Sequence, residues 1–367
     1  MRRNEPGLIP VFDGHNDVLL RLWLKQSDSG VADFIAGDGK GHMDLPRMAK
    51  GGFAGGMFAI FVPHPDDPDL DDDEVNPPPA GQLSTSAAVQ PALAMASLLL
   101  RIARQAPDRF RICRTAADIR SSMAAGAIAA VMHIEGAECI DTKFKSLDVL
   151  YESGLRSLGP VWSRPNQFGH GVPFRFPSSP DTGPGLTEAG KDLVRVCNEL
   201  RILIDLSHLN EKGFWEVAKL SKAPLVATHS NAHAICASSR NLTDEQIRAI
   251  GQSGGMIGLN FANGFLRPDG SWRNDTGIDV MLRHLDHLME IAGPDHVGLG
   301  SDFEGARIPA AVSDVTKLPV LTQAMADHGY DAELMAKLCS ENWIATLERT
   351  WDTGSCKTVI SDANSHS

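Results

Sequence analysis

Apolar runs of strand length recur along this chain, each followed by a helical pattern or a long crossover, and there are eight of them. They fall at 11–15, 52–62 (with 58–62 the clearest part), 127–134, 158–162, 202–208, 224–229, 255–261 and 296–302. Strands alternating with helices predict a parallel sheet, and eight is the number at which such a sheet closes into a TIM barrel. The competing α/β architecture is an open doubly wound sheet, which would want a phosphate-binding glycine loop early in the chain. Gly51-Gly52-Phe53-Ala54-Gly55-Gly56 lacks the GxGxxG spacing of such a loop.

The helical stretches have their own signals. Residues 87–106 form an amphipathic pattern, and Thr115 is placed to cap a helix that stops near Gly126. Thr187 opens a helix through Leu200, and Thr243-Asp244-Glu245-Gln246 has the spacing of a capping box. No internal repeat or linker divides the chain. The expectation is one barrel domain over 1–367, with an acidic, proline-rich excursion loop at about 63–81 and a helical segment at about 331–351.

Charge and cysteine usage remove several function classes. A net charge of −12, with no basic stripe interleaved with aromatics, argues against nucleic acid as a partner. Six scattered cysteines without a CxxC pair do not suggest a disulfide framework. No signal-peptide pattern, lipid-anchor signal or apolar run of about 18 residues is evident, so a membrane partner is not expected and a cytoplasmic protein is. A homodimer is compatible with the chain, although no patch points to one.

What stands at the strand ends carries the functional reading. His15 and Asp17 follow the first strand, Glu135 the third, His208 the fifth, His229 the sixth and Asp302 the eighth. In a TIM barrel these ends form the one face where active sites are built. The period-2 rule pairs Asp13 with His15, His133 with Glu135, Leu206 with His208 and Ala227 with His229, which places the candidates on inward faces. Three histidines and two carboxylates exceed the four ligands of one tetrahedral zinc. They suit two metals about 3.5–4 Å apart, with Glu135 offering one oxygen to each and a shared water acidified into a nucleophile. Asp302 is then free to take a proton and return it to a leaving group.

These motifs together resemble the membrane (renal) dipeptidase family, peptidase family M19, in its soluble bacterial branch. The resemblance rests on Asp13-Gly14-His15-Asn16-Asp17, Ile134-Glu135-Gly136, Ile204-Asp205-Leu206-Ser207-His208, Thr228-His229-Ser230, Ser238-Ser239-Arg240-Asn241 and 297–303, in family order from residue 11 to about 345. It implies a metal-dependent hydrolase barrel with two zinc ions (other divalent metals remaining open) that cleaves small dipeptides, L-Xaa-D-Xaa as well as L-L. It also implies that His15 and Asp17 hold the first zinc, that Glu135 bridges, and that His208 and His229 hold the second. By the same resemblance Arg240 binds the substrate carboxylate and Asp302 shuttles the proton. One departure stands out: Trp162 falls near where relatives carry a carbonyl-polarising histidine. Asn166, His170 or Arg164 could substitute, the metals could act unaided, or the substrate could differ.

Other candidates read as ordinary structure. His284 and His287 are expected on a polar helix face, and His233 in a capping or supporting role beside His229. His133 is expected to be a hydrogen-bonded barrel residue, Asp205 structural, and Trp343, Leu347 and Trp351 a packing stripe. The rivals to the dipeptidase are a hydrolase of N-acyl amino acids or lactones on the same metals, and a catalytically silent metal-binding barrel.

Overall fold

The computed structural model describes residues 8–27, 29–64 and 81–351. Most of the expected excursion loop, from 65 to 80, lies outside the described residues. Among the described residues there are nine parallel strands: β1 (Val11–Asn16), β2 (Phe53–Phe61), β3 (Phe110–Ile112), β4 (Ile128–Glu135), β5 (Leu155–Gly159), β6 (Leu203–Ile204), β7 (Val226–Ala227), β8 (Met256–Leu259) and β9 (Val297–Leu299). They form two arcs, β1-β2-β4-β5-β6 and β7-β8-β9. Parallel bridges Asp205↔Val226 and Asn16↔Phe303 join the arcs at both seams. Eight strands therefore close a TIM-type ring, and β3 is an extra strand paired only with the start of β4, at Ile128–Ala130.

The eight expected strands are all found, with altered lengths. The one expected at 158–162 sits at Leu155–Gly159, and β3 was not anticipated. The run 202–208 is strand only at Leu203–Ile204. The reason is Asp205, whose Oδ1 accepts the backbone N–H groups of Ser207 and Thr228 at 3.0 and 2.8 Å. Such local side-chain bonds compete with the ladder and start a turn. His208 then adopts φ +68° and Asp302, after β9, φ +60°. Both residues are delivered by turns just beyond the strands, so simple alternation does not describe how they point.

The barrel interior at the N-terminal ends of the strands is apolar. Phe12, Met57, Val131, Leu203, Val226 and Met256 pack there with Trp343, Leu347 and Trp351 of the helix Asn342–Trp351. Trp343 Nε1 donates to the Leu299 carbonyl at 2.9 Å. This layer explains Gly14 in the first motif. A Cβ there would lie 2.3 Å from the Thr228 carbonyl oxygen and 2.4 Å from the Trp343 ring.

The helix caps appear as expected, with capping boxes at Thr115 and Thr243 and a side-chain cap at Thr187. The amphipathic pattern at 87–106 becomes the helix Thr85–Gln105, capped by Ser84. By length and composition this helix is apolar enough to cross a membrane, contrary to the expectation that no run approaches that size. Here its face of Ala88, Ala92, Met95, Leu99 and Ile102 is buried in the core.

His284 differs from its expectation of a polar helix face. It is fully buried, with the Ala232 N–H donated to its Nδ1 and its Nε2 donating to the Leu266 carbonyl. Burial pulls the imidazole from 6.5 down to about 4, against the opposing bond to Leu266. A group kept neutral in the fold and free to protonate when unfolded makes stability fall as pH drops. The loss begins near pH 6.5, is complete near 4 and reaches about 3 kcal/mol. Urea unfolding between pH 7.5 and 4.5 should therefore show a steeper loss in wild type than in His284→Gln. Equal losses would remove His284 from the acid response.

Candidate active site

Asp13 ties β1 to β9 by accepting the Ser301 N–H and hydroxyl at 2.6 and 2.8 Å. Two residues later His15 points into the ring, and Asp17 begins the helix Val18–Leu24 without using its carboxylate as a cap. That carboxylate instead faces His15, with Oδ2 3.1 Å from Nε2. Glu135 closes β4, held in register by Phe61 on one side and Gly159 on the other. Its Oε2 lies 3.6 Å from His15 Nε2, while its Oε1 lies 2.9 Å from His208 Nε2 and 3.3 Å from His229 Nε2. The five candidate ligands thus fall into two groups that share Glu135 and are all buried. Asp302 joins them beside His15 and His229, its Oδ2 accepting from Asn260 Nδ2 at 2.9 Å.

The donor set fits metal ions. The Nε2 atoms of His208 and His229 approach to 3.0 Å, while their Nδ1 atoms lie 2.7 Å from the hydroxyls of Ser163 and Thr228. Nδ1–H groups donated to those hydroxyls leave both Nε2 lone pairs aimed at one region, the tautomer a metal requires. Asp17 Oδ1 and His15 Nδ1 are buried without a hydrogen-bond partner. Burial pushes the Glu135 carboxyl well above its usual range, opposed by His15 and assisted by Asp17 and Asp302. Burial alone would lower His15, yet Glu135 and Asp17 carry it up to about 10. Three buried carboxylates at the floor exceed the positive charge of the His15 imidazolium and the Arg240 guanidinium beside them.

Above this floor opens a cavity of about 500 Å³. Asp17, Glu135, His208 and Asp302 line its base, and Phe61, Trp162, Phe174, Phe265 and Trp272 form an aromatic wall. That is the form of a small-molecule site, mostly apolar with a few convergent polar groups.

Residues 7–355 match the membrane dipeptidase family, peptidase family M19. The chain belongs to that family. It is 56% identical to a metallo peptidase from Rhodobacter sphaeroides liganded with a phosphinate mimic of the dipeptide L-Ala-D-Ala, with a TM-score of 0.90 over 94% of this chain and 100% of that one. It is 57% identical to dipeptidase AC, a metallo peptidase of family M19, with a TM-score of 0.89 over 94% and 99% of the two chains. An uncharacterized protein in the PQQ-III 3′ region of Acinetobacter calcoaceticus is 45% identical over 297 residues, 79% of this chain and 92% of that protein. The enzyme is a metallo-dipeptidase on an amidohydrolase-type barrel.

Around the dipeptidase's cavity the structure separates the remaining candidates. Trp162 stands in the wall, its ring centre 5.8 Å from that of His208 and 4.9 Å from that of Phe61. Arg164 is fully buried behind it, paired with Glu138 at 2.9 Å and lying over the Trp162 and Phe61 rings. Asn166 spends its side chain on the Pro160 carbonyl and the Phe168 N–H, and His170 Nδ1 lies 3.2 Å from the Gly185 carbonyl. Arg164, Asn166 and His170 are not among the cavity-lining residues, and neither is Arg240. His233 donates to Ser178 O, and His133 lies 2.8 Å from the Ser157 hydroxyl.

Arg240 is buried beside the ligands, donating through Nη2 to the His229 carbonyl at 2.9 Å and through Nη1 to Ser230 Oγ at 2.8 Å. Burial lowers its pKa to about 10, with Asp302, Asp205 and Glu135 opposing, so it stays cationic. Its Nε is buried without a partner, and the guanidinium lies 5.8 Å from the centre of the Phe265 ring. The rim contains residues that sequence patterns did not single out: His42, His64, Glu304 and Arg307. Glu304 Oε1 accepts from the His42 and Met43 N–H groups at 2.9 Å and is ion-paired with Arg21, whose Nε lies 2.9 Å away. These contacts join loops more than 250 residues apart, and no local periodicity marks them.

Proposed function

We propose that this dipeptidase holds two zinc ions, His15, Asp17 and Glu135 serving one and Glu135, His208 and His229 the other, and that it hydrolyses small dipeptides with a free C-terminal carboxylate. The observation that carries the reading is the division of Glu135, one oxygen toward His15 and the other toward His208 and His229. Zinc bound there supplies a Lewis acid for the scissile carbonyl and lowers the pKa of water to near neutrality. The chain's own residues do the rest. Asp302, steadied by Asn260, accepts the proton of the attacking water and passes it to the departing amine. Arg240 receives the substrate carboxylate, for which a guanidinium fork is suited. The aromatic wall keeps bulk water from the reacting bond. The phosphinate mimic of L-Ala-D-Ala bound by the Rhodobacter sphaeroides relative supports L-D as well as L-L substrates.

Turnover of a panel of L-L and L-D dipeptides by zinc-loaded enzyme, with a chelated control, tests this reading. Chelator-sensitive cleavage that fails on N-capped and C-amidated analogues is the expected result. Folded, zinc-replete protein that cleaves none of them would point to a different acyl substrate. Arg240→Ala should raise KM by about 30–1,000-fold with a much smaller change in kcat, as expected for about 2–4 kcal/mol of lost charge pairing. A KM equal to wild type would take the substrate carboxylate away from Arg240.

A further inference from the structure

Below the cavity floor a chain of buried side chains ends on His229. Asp205 Oδ2 lies 2.6 Å from Thr228 Oγ1, which lies 2.7 Å from His229 Nδ1. The other Asp205 oxygen accepts two backbone N–H groups, those of Ser207 and Thr228, which pins the carboxylate in place. A hydroxyl has one proton, and a carboxylate can only accept it. Thr228 therefore donates to Asp205 and must accept from His229 Nδ1–H. A neutral imidazole carries one N–H, so this forces the bare lone pair onto Nε2, the atom 3.3 Å from Glu135 Oε1. At His208 the supporting hydroxyl is Ser163 Oγ, with no carboxylate hydrogen-bonded behind it among the described residues. The two histidines of one candidate position are thus oriented by different means.

We propose that Asp205 and Thr228 are positioning residues that fix the tautomer of His229 and thereby set the zinc affinity of the position formed by Glu135, His208 and His229. The proposal rests on the two-zinc reading above. Asp205 also sits at the β6–β7 seam through its bridge to Val226, so a structural role has to be separated from a positioning one. Asp205→Asn does this by chemistry. The amide oxygen can keep both backbone N–H bonds, but the NH₂ replaces Oδ2 and donates to Thr228. The Thr228 hydroxyl, released from donating to residue 205, is then free to turn its proton toward His229 Nδ1, which favours the imidazole proton on Nε2 and weakens ligation. Thr228→Val removes the hydroxyl at similar volume, and Thr228→Ser restores it.

The test is zinc competition on the full-length, zinc-loaded enzyme with a chelator of known affinity. It is accompanied by ¹⁵N spectra of the histidine rings and far-ultraviolet circular dichroism. Wild type and Thr228→Ser should hold two equivalents. Asp205→Asn and Thr228→Val should hold the first normally and the second about 10–100-fold more weakly. In Asp205→Asn the His229 proton signal should move from Nδ1 to Nε2. A structural role alone would weaken both equivalents together and leave the ring pattern in place. Asp205→Asn with wild-type affinity at both positions, or Thr228→Ser as weak as Thr228→Val, overturns the proposal. If Asp205→Asn fails to fold, the Thr228 pair decides. Wild type that retains a single equivalent defeats the two-zinc reading itself, and this proposal with it.

Discussion

With the two zinc ions proposed above, Asp302→Asn is expected to keep both and to lower kcat by about 10²–10⁴-fold, the usual worth of a positioned general acid–base group. Asp302 follows β9 in a left-handed turn at φ +60°, which brings its carboxylate beside His15 and His229. Burial, against the pull of His15 and with the push of Asp17, raises its carboxyl to about 6. A group near that value can accept a proton from water and release it to an amine at neutral pH. The amide in its place keeps nearly the same shape and can still bond to Asn260, but it cannot accept and return a proton. Zinc content by elemental analysis, read beside kcat at saturating dipeptide, separates lost chemistry from lost metal. Turnover equal to wild type at full zinc content would remove Asp302 from the reaction.

Glu135→Gln should be more severe, with zinc reduced to one equivalent or fewer and activity down by more than about 10³-fold. Glu135 cannot be replaced by adjustment of its neighbours, because β4 is paired on both sides at this residue and the side chain has one direction to take. Glutamine offers a single neutral oxygen. Its NH₂ would face either His15 or the two converging Nε2 atoms and could serve no cation there. The variant also removes one negative charge from a floor built around three. Retention of both zinc ions by Glu135→Gln would show that the positions are independent, and would end the bridging assignment.

The contrast between these residues and Asn166 or His170 shows how far the chain can be read without its fold. His15, Asp17, Glu135, His208, His229 and Asp302 each end an apolar run, and all six converge in the structure. Asn166 and His170 lie in an irregular segment where no periodicity reports direction, and their side chains turn to the Pro160 and Gly185 carbonyls instead of the cavity. His284 has the same limitation on a helix. Spacing located it on the right element, but its burial depends on the loop after His229 and on Leu266, which supply its two hydrogen bonds.

The sequence by itself determined the parallel barrel, the order of its strands, the capped helix starts at Thr115, Thr187 and Thr243, and the residue types gathered on its active face. These follow from local physics: apolar periodicity, a cap's need to satisfy free N–H groups, and the inability of a helix-linked strand to bury itself except in a parallel sheet. Only the tertiary structure decided where strands give way to turns, which tautomer each histidine holds, and which aromatics and rim residues shape the cavity. Asp205 shortens β6 by reaching for Thr228, 23 residues on, and Glu304 secures the rim through His42, 262 residues back. Such bonds are chosen by which groups the closed barrel brings within reach, and that is a property of the folded ring and not of any segment of it.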